Sequence, residues 1–436
     1  MQAGLEALAS MGDGEKVAVL GDMLELGGGS VEAHRLVGRE AASLRLDRLL
    51  LVGRFADEIL KGALDGGFPR GKVETFSAKE EIPPFVEDLE EGFNVFRYIT
   101  FRCIGSAVTA FLLLLIFGPL FIRTMQRLQI GQIVRSDGLE SHFSKRGVPT
   151  MGGMLIIVAI LISTLLWARL DNTLVWLTLF TLLYFGGIGA VDDYRKIARN
   201  NSIGLSARGK MIFQVLGALV IGVVIYCLPG FDGHLSVPFF KNVRPDLGLF
   251  YIVFAMLVIV GASNAVNLTD GLDGLAAGPT VISSAVYLVF SYLAGHIVLA
   301  DYLQIPYVAG SGEVAVFCGA MVGGALGFLW FNAYPAQIFM GDVGSLGIGG
   351  ALGAVAIIVK QEMVLAIVGG VFVMEAMSVI MQVSYFKLTG GKRIFLMAPF
   401  HHHFEKKGWQ EPKVVIRFWI ISVVLALFAL ATLKLR

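Results

Sequence analysis

Residues 103 to 122, Cys103-Ile104-Gly105-Ser106-Ala107-Val108-Thr109-Ala110-Phe111-Leu112-Leu113-Leu114-Leu115-Ile116-Phe117-Gly118-Pro119-Leu120-Phe121-Ile122, contain no charged side chain. At about 1.5 Å of rise per helical residue, such a run is long enough to cross the ~30 Å hydrocarbon core of a bilayer. Nine more apolar stretches follow, near 151 to 169, 172 to 191, 211 to 229, 247 to 266, 275 to 295, 313 to 331, 344 to 359, 363 to 385 and 414 to 433. The whole chain is 56% apolar with a mean hydropathy of +0.72, above the roughly 45 to 50% apolar share of soluble domains. The fold class expected is an all-α polytopic membrane protein with about ten transmembrane helices.

Ahead of this region, residues 1 to 92 intersperse acidic and basic side chains and hold no run long enough to cross a bilayer. Short apolar runs at Val17 to Leu20 and Leu49 to Val52 each end at a glycine and flank a helical stretch from Ala33 to Ala42, which is β-α-β spacing. Lys72 to Phe76 extends the pattern, and Pro83-Pro84 marks a boundary. Two domains are therefore expected, a small α/β, Rossmann-like soluble fragment over 1 to 92 and a membrane domain over 93 to 436. The first twenty residues lack a basic segment followed by an apolar one, so insertion is expected to rely on the later spans. Cys103, Cys227 and Cys318 lie in apolar runs without metal-ligand spacing and read as small core hydrophobes. A net charge of +1 argues against a nucleic-acid binder.

Charge is distributed unevenly among the connections between spans. The first, third and ninth hold sixteen Lys and Arg, whereas all the even connections together hold only Arg169, Lys241, Arg244 and Lys360. The positive-inside rule then puts odd connections in the cytoplasm and both ends of the membrane domain outside. All four polar clusters fall on odd connections: Asp192-Asp193-Tyr194, Asn267-Leu268-Thr269-Asp270-Gly271-Leu272-Asp273-Gly274, Phe339-Met340-Gly341-Asp342-Val343-Gly344-Ser345, and Pro399-Phe400-His401-His402-His403-Phe404-Glu405. Any one acidic pair could be a solvated helix end, but four clusters on one face argue against that reading. The histidine triplet lies far from either end, which argues against a tag. Carboxylates at several helix ends beside lysines suit phosphoryl transfer with Mg²⁺, which takes a few carboxylates plus phosphate oxygens. No G-x-x-x-x-G-K-[ST] loop occurs, in keeping with a reaction that needs no ATP. Glu375 sits inside an apolar stretch, where a charge costs very roughly 3 kcal/mol on insertion scales. It must face protein or a watery groove, either near a lipid phosphate or in a structural hydrogen bond.

These clusters, with Asn94-Val95-Phe96-Arg97-Tyr98-Ile99-Thr100-Phe101-Arg102 and Ser144-Lys145-Arg146-Gly147-Val148-Pro149-Thr150-Met151-Gly152-Gly153, resemble the phospho-N-acetylmuramoyl-pentapeptide transferase family over about residues 94 to 436. The resemblance implies a multi-pass protein of the bacterial cytoplasmic (inner) membrane with its active site on the cytoplasmic face. It implies transfer of phospho-N-acetylmuramoyl-pentapeptide from UDP to undecaprenyl phosphate, giving lipid I and UMP, with membrane lipid around it and a homodimer as the assembly. It also implies that Asp342 binds Mg²⁺, with Asp192 as metal ligand or base and Asp193 beside it. Direct attack by the lipid phosphate and a covalent route through Asp192 both stay open, with direct attack favoured. The adjoining aspartates should differ, since neighbouring side chains on a helix point about 100° apart; Asp192 is expected to face the metal. By similarity Lys145, Lys210, Asn267, Asp270, Asp273, Asn332 and Phe339 bind the nucleotide-sugar, with Phe339 able to stack on uracil, and His401, His402 and His403 join the catalytic set.

Residues 16 to 27, Lys-Val-Ala-Val-Leu-Gly-Asp-Met-Leu-Glu-Leu-Gly, with His34 and Val37-Gly38, resemble the C-terminal domain of the ligase that adds D-Ala-D-Ala to UDP-N-acetylmuramoyl-tripeptide. The central ATP-binding domain of that ligase is missing, so the fragment is expected to have no ligase activity alone. A ligase domain belongs in the cytoplasm, which conflicts with the outward amino terminus that the charge pattern predicts. Two alternatives to the main reading are a related transferase using another UDP-N-acetylhexosamine and a secondary transporter, whose coupling acids would sit near the midplane.

Overall fold

The computed structural model describes residues 16–23, 29–44, 46–76, 94–128, 147–199, 204–240 and 243–434, together with Leu5, Leu8 and Ala9. The chain divides into two compact units, Met1–Val95 and Phe96–Arg436.

In the first unit, strands β1 (Val17–Leu20), β2 (Arg48–Val52) and β3 (Val73–Phe76) form a parallel sheet in the order β1-β2-β3. The intervening helices α1 (Ser30–Ser43) and α2 (Ala56–Asp65) pack on each other. Leu49, Leu51, Ala41, Ile59 and Ala63 make the core beneath the sheet. The Asp22 carboxylate accepts hydrogen bonds from the Arg54 and Phe55 backbone N–H groups at 2.9 Å each, which caps the start of α2 from a neighbouring loop. The expected β-α-β pattern is what the chain adopts.

The second unit is helical. Nine of its described helices are long and apolar enough to cross a membrane: α3 (Ile99–Arg127), α5 (Thr173–Ala198), α6 (Ala207–Tyr226), α7 (Phe250–Thr269), α8 (Ala277–Ala294), α10 (Ser311–Asn332), α11 (Gly341–Ile358), α13 (Gly370–Leu388) and α15 (Glu411–Ala431). Helix α4 (Gly153–Trp167) is apolar but shorter, and α9 (Ile297–Leu303), α12 (Glu362–Val368) and α14 (Phe400–Lys406) are single short pieces. All ten expected stretches are thus helical, with two departures. The second begins two residues later than its hydropathy suggests, because Met151 has a left-handed backbone with φ 67°, and Gly153 at the helix start lies backbone to backbone against Gly344 of α11. The ninth stretch is two helices, α12 and α13, separated at Gly369.

Helices α10 and α11 form the interior. α11 packs against α5 and α7, and α10 against α3 and α8. Both are rich in glycine and alanine, which lets neighbouring backbones approach where lipid offers no hydrophobic drive for association. Helices α3, α13 and α15 instead present Ile104, Leu112, Ile116, Ile380, Leu427 and Phe428 outward, as lipid-facing surfaces require. At the start of α3 the Arg102 guanidinium donates two hydrogen bonds of 2.6 Å to the Glu313 carboxylate of α10, which also accepts the Arg169 N–H at 3.0 Å. Cys103 and Cys318 are buried as expected, but Cys227, just past α6, is exposed and is not a core residue.

Candidate active site

The site forms where the last turns of α5 and α7 meet the first turns of α11 and α6. Gly189 of α5 lies against the Asp342 backbone so closely that a Cβ there would fall 2.1 Å from the Asp342 carbonyl oxygen. This contact brings Asp192 and Asp193, one turn further along α5, beside the head of α11. Gly341 turns the chain into α11 with a φ of 73°, and a Cβ there would meet the Asp193 carboxylate at 2.6 Å. A side chain is disfavoured at Gly341 on both counts.

One carboxylate oxygen from each of Asp192, Asp193 and Asp342 lies within 4.8 Å of the others. Lys196 binds all three, at 2.6 Å to Asp192, 3.3 Å to Asp193 and 3.3 Å to Asp342. Lys210 of α6 donates to Asp342 Oδ2 at 2.5 Å, while Asn267 of α7 donates to Asp342 Oδ1 at 2.9 Å and to Ser345 Oγ at 2.8 Å. Backbone groups fix the remaining oxygens: Leu205 N–H donates to Asp192 at 2.7 Å and Val343 N–H to Asp193 at 3.2 Å. Both aspartates of the pair therefore reach the same ammonium group. Two lysines offset three carboxylates, and the converging donors are all oxygens, a set that suits a hard divalent cation.

Asp270, just beyond α7, completes the acidic group. Burial and the nearby charges of Asp342 and Asp193 hold its carboxyl well above the usual carboxylate range. Asp273 and Asn332 brace the surrounding loops. Asp273 accepts the Ala336 N–H at 2.9 Å; the Asn332 side chain accepts the Gly274 N–H at 3.0 Å and donates to the Ile338 carbonyl at 2.8 Å. Phe339 is half-buried, and its backbone pairs with Pro149 and Gly152, which draws the 147–153 segment to the site. Lys145 lies outside the described residues.

The three histidines sit on α14 in three different settings. His401 is buried, with Nε2 so close to Gly271 that a Cβ there would fall 2.3 Å away. His402 pairs with Glu405 at 2.6 Å. His403 accepts the Leu396 N–H at 3.1 Å and stacks on Phe400, and burial together with Lys407 disfavours its charged form. Only His401 of the triplet touches the 270–274 loop among these contacts. The sequence pattern singles out neither Lys196, one of the cationic residues of the third connection, nor Ser345. The spacing of Lys196 from the two aspartates, i+4 and i+3 on one helix, could have flagged it.

Residues 175–360 match a family model described as Glycosyl transferase family 4. The chain is 72% identical over 345 residues to the phospho-N-acetylmuramoyl-pentapeptide-transferase of Desulfotalea psychrophila, covering 79% of this chain and 96% of the relative. It is 59% identical to the proteins of the same name from Syntrophus aciditrophicus and Citrifermentans bemidjiense, with the same coverage. Nothing in these relatives supports the transporter alternative. With 96% of such a relative spanned at this identity and the acidic site carried on membrane helices, the chain belongs to the phospho-N-acetylmuramoyl-pentapeptide transferase family.

Proposed function

We propose that this chain transfers phospho-N-acetylmuramoyl-pentapeptide from its UDP ester to undecaprenyl phosphate, releasing UMP and forming lipid I, the first membrane step of peptidoglycan synthesis. The observation that carries this reading is the convergence of Asp192, Asp193 and Asp342 on two lysines at the ends of membrane helices, in a chain 72% identical to a relative of that name. In the reaction an oxygen of the lipid phosphate bonds to the sugar-bearing phosphorus, and the bond from that phosphorus to the oxygen bridging it to UMP breaks. One phosphoanhydride replaces another, so no further energy source is needed.

Asp342 and Asp192 would hold Mg²⁺, which supplies neutralisation of diphosphate charge. Lys210 and Lys196 add positive charge to the same region, and Asn267 keeps the Asp342 carboxylate turned toward it. Asp192 acts as the base or orienting group for the lipid phosphate. It is buried and already engaged by Leu205 and Lys196, which hold the carboxylate in place and make it a poor nucleophile toward phosphorus. Direct attack is therefore preferred to a covalent intermediate. Phe339 and the 270–274 loop receive the nucleotide-sugar, on the cytoplasmic face of the bacterial inner membrane, in a homodimer. The front fragment lacks ligase activity.

Purified protein incubated with UDP-N-acetylmuramoyl-pentapeptide, a polyprenyl phosphate and Mg²⁺ should release UMP together with a lipid-linked product. Folded protein that releases none overturns the reading, and preferential use of UDP-N-acetylglucosamine overturns the choice of sugar.

A further inference from the structure

Glu375 has a fully buried carboxylate six residues into the apolar helix α13, and the hydrogen bonds it accepts from another element all come from α14. Its Oε2 accepts the Phe400 N–H at 2.7 Å and its Oε1 accepts the His401 N–H at 3.1 Å. The residue ahead of α14 is Pro399, whose side chain has no acceptor for these first, otherwise orphaned, amides. A carboxylate from a different helix supplies one instead. The same carboxylate lies 3.2 Å from Nδ1 of His401, although neither ring nitrogen has an aligned hydrogen-bond partner among the described residues. On its far side the His401 ring rests against Gly271, one residue from Asp270. A continuous line thus runs from α13 through Glu375 and His401 to the loop that borders the acidic site.

We infer that Glu375 is a positioning residue for the transfer reaction: by gripping the backbone of Phe400 and His401 it holds the His401 imidazole against the Gly271 loop. The inference rests on the proposed transferase reading. It gives the buried carboxylate of this apolar helix a role, since leaving the first amides of α14 unpaired carries its own penalty. Glutamine at this position retains a carbonyl oxygen that can accept from the same amides, whereas alanine retains nothing.

The test is a double-mutant cycle on purified full-length protein, read as kcat and KM for the nucleotide-sugar, with the unmodified protein's UMP release as the control that checks the transferase reading separately. Glu375→Ala should lower kcat by about tenfold or more with KM changed by less than about threefold. Glu375→Gln should recover most of the loss. Adding Glu375→Ala to His401→Ala should cost little beyond His401→Ala alone, because both act through one group. Full activity in Glu375→Ala, or losses that multiply in the double variant, would overturn the inference. If Glu375→Ala does not fold, the same cycle with Glu375→Asp, whose shorter side chain draws the carboxylate back from both amides, decides: a loss that vanishes in the His401→Ala background supports the coupling, whereas no loss, or an equal loss in both backgrounds, overturns it.

Discussion

At the level of single residues, Asp342 is the most heavily engaged group of the site, holding Lys210, Lys196 and Asn267 at once. Replacing it by asparagine removes the charge that a cation selects, so Asp342→Asn should raise the Mg²⁺ concentration needed for half-maximal activity and lower the maximum together. Near-normal turnover at limiting Mg²⁺ would take Asp342 out of the metal site. Asp192→Asn should abolish turnover while nucleotide-sugar binding, measured by titration calorimetry, stays within a few fold, because the lost group acts in the transition state. Loss that arises solely from failed binding would contradict the role given to Asp192. The acids of this site were legible in the sequence because each marks the end of an apolar run. The partners were less so. Lys196 becomes a bridge only when α11 docks on α5, and Asn332 and Asp273 become loop braces only when the 333–339 segment folds back.

Among the helices, the contact between α5 and α11 sets the spacing of the carboxylates. Gly189 and Gly187 both sit on α5, yet a Cβ at Gly189 would collide with the Asp342 backbone while one at Gly187 meets nothing within 4 Å. Gly189→Ala should therefore destabilise the protein by about 1 to 3 kcal/mol and reduce activity, as overpacking does. Gly187→Ala should be neutral or stabilising by up to ~1 kcal/mol, since alanine is the better helix former. Thermal unfolding in detergent, measured side by side, separates the two; equal behaviour would show that the contact is not tight. The positions of the apolar helices followed directly from hydropathy. The break between α12 and α13 did not, because apolar composition is continuous through Gly369 and Gly370, where one helix ends and the next begins.

Across the whole molecule, the charge pattern predicts a topology that the exposed Cys227 can report. It follows α6, at the start of an even connection expected outside, whereas Cys103 and Cys318 are buried. A membrane-impermeant maleimide should label Cys227 when added to the outer side of intact spheroplasts. Labelling only after access to the inner side would reverse the orientation and move the acidic site outward. The front unit has its own sheet and core, so deleting residues 1 to 92 should leave transferase activity per folded molecule unchanged. A well-inserted truncation without activity would show that the fragment contributes. Its α/β pattern was readable because strands and helices alternate with glycine ends, but nothing in that pattern says what the unit does when joined to a membrane enzyme.

The seam at Gly189 and Gly153 joins backbone to backbone on both sides of the α11 head. Such a joint has no rotamers to adjust, so the backbone positions that carry the carboxylates are fixed relative to one another. An inhibitor matched to that backbone spacing would gain affinity from a preformed template, whereas one that needs the helices further apart would have to break this packing.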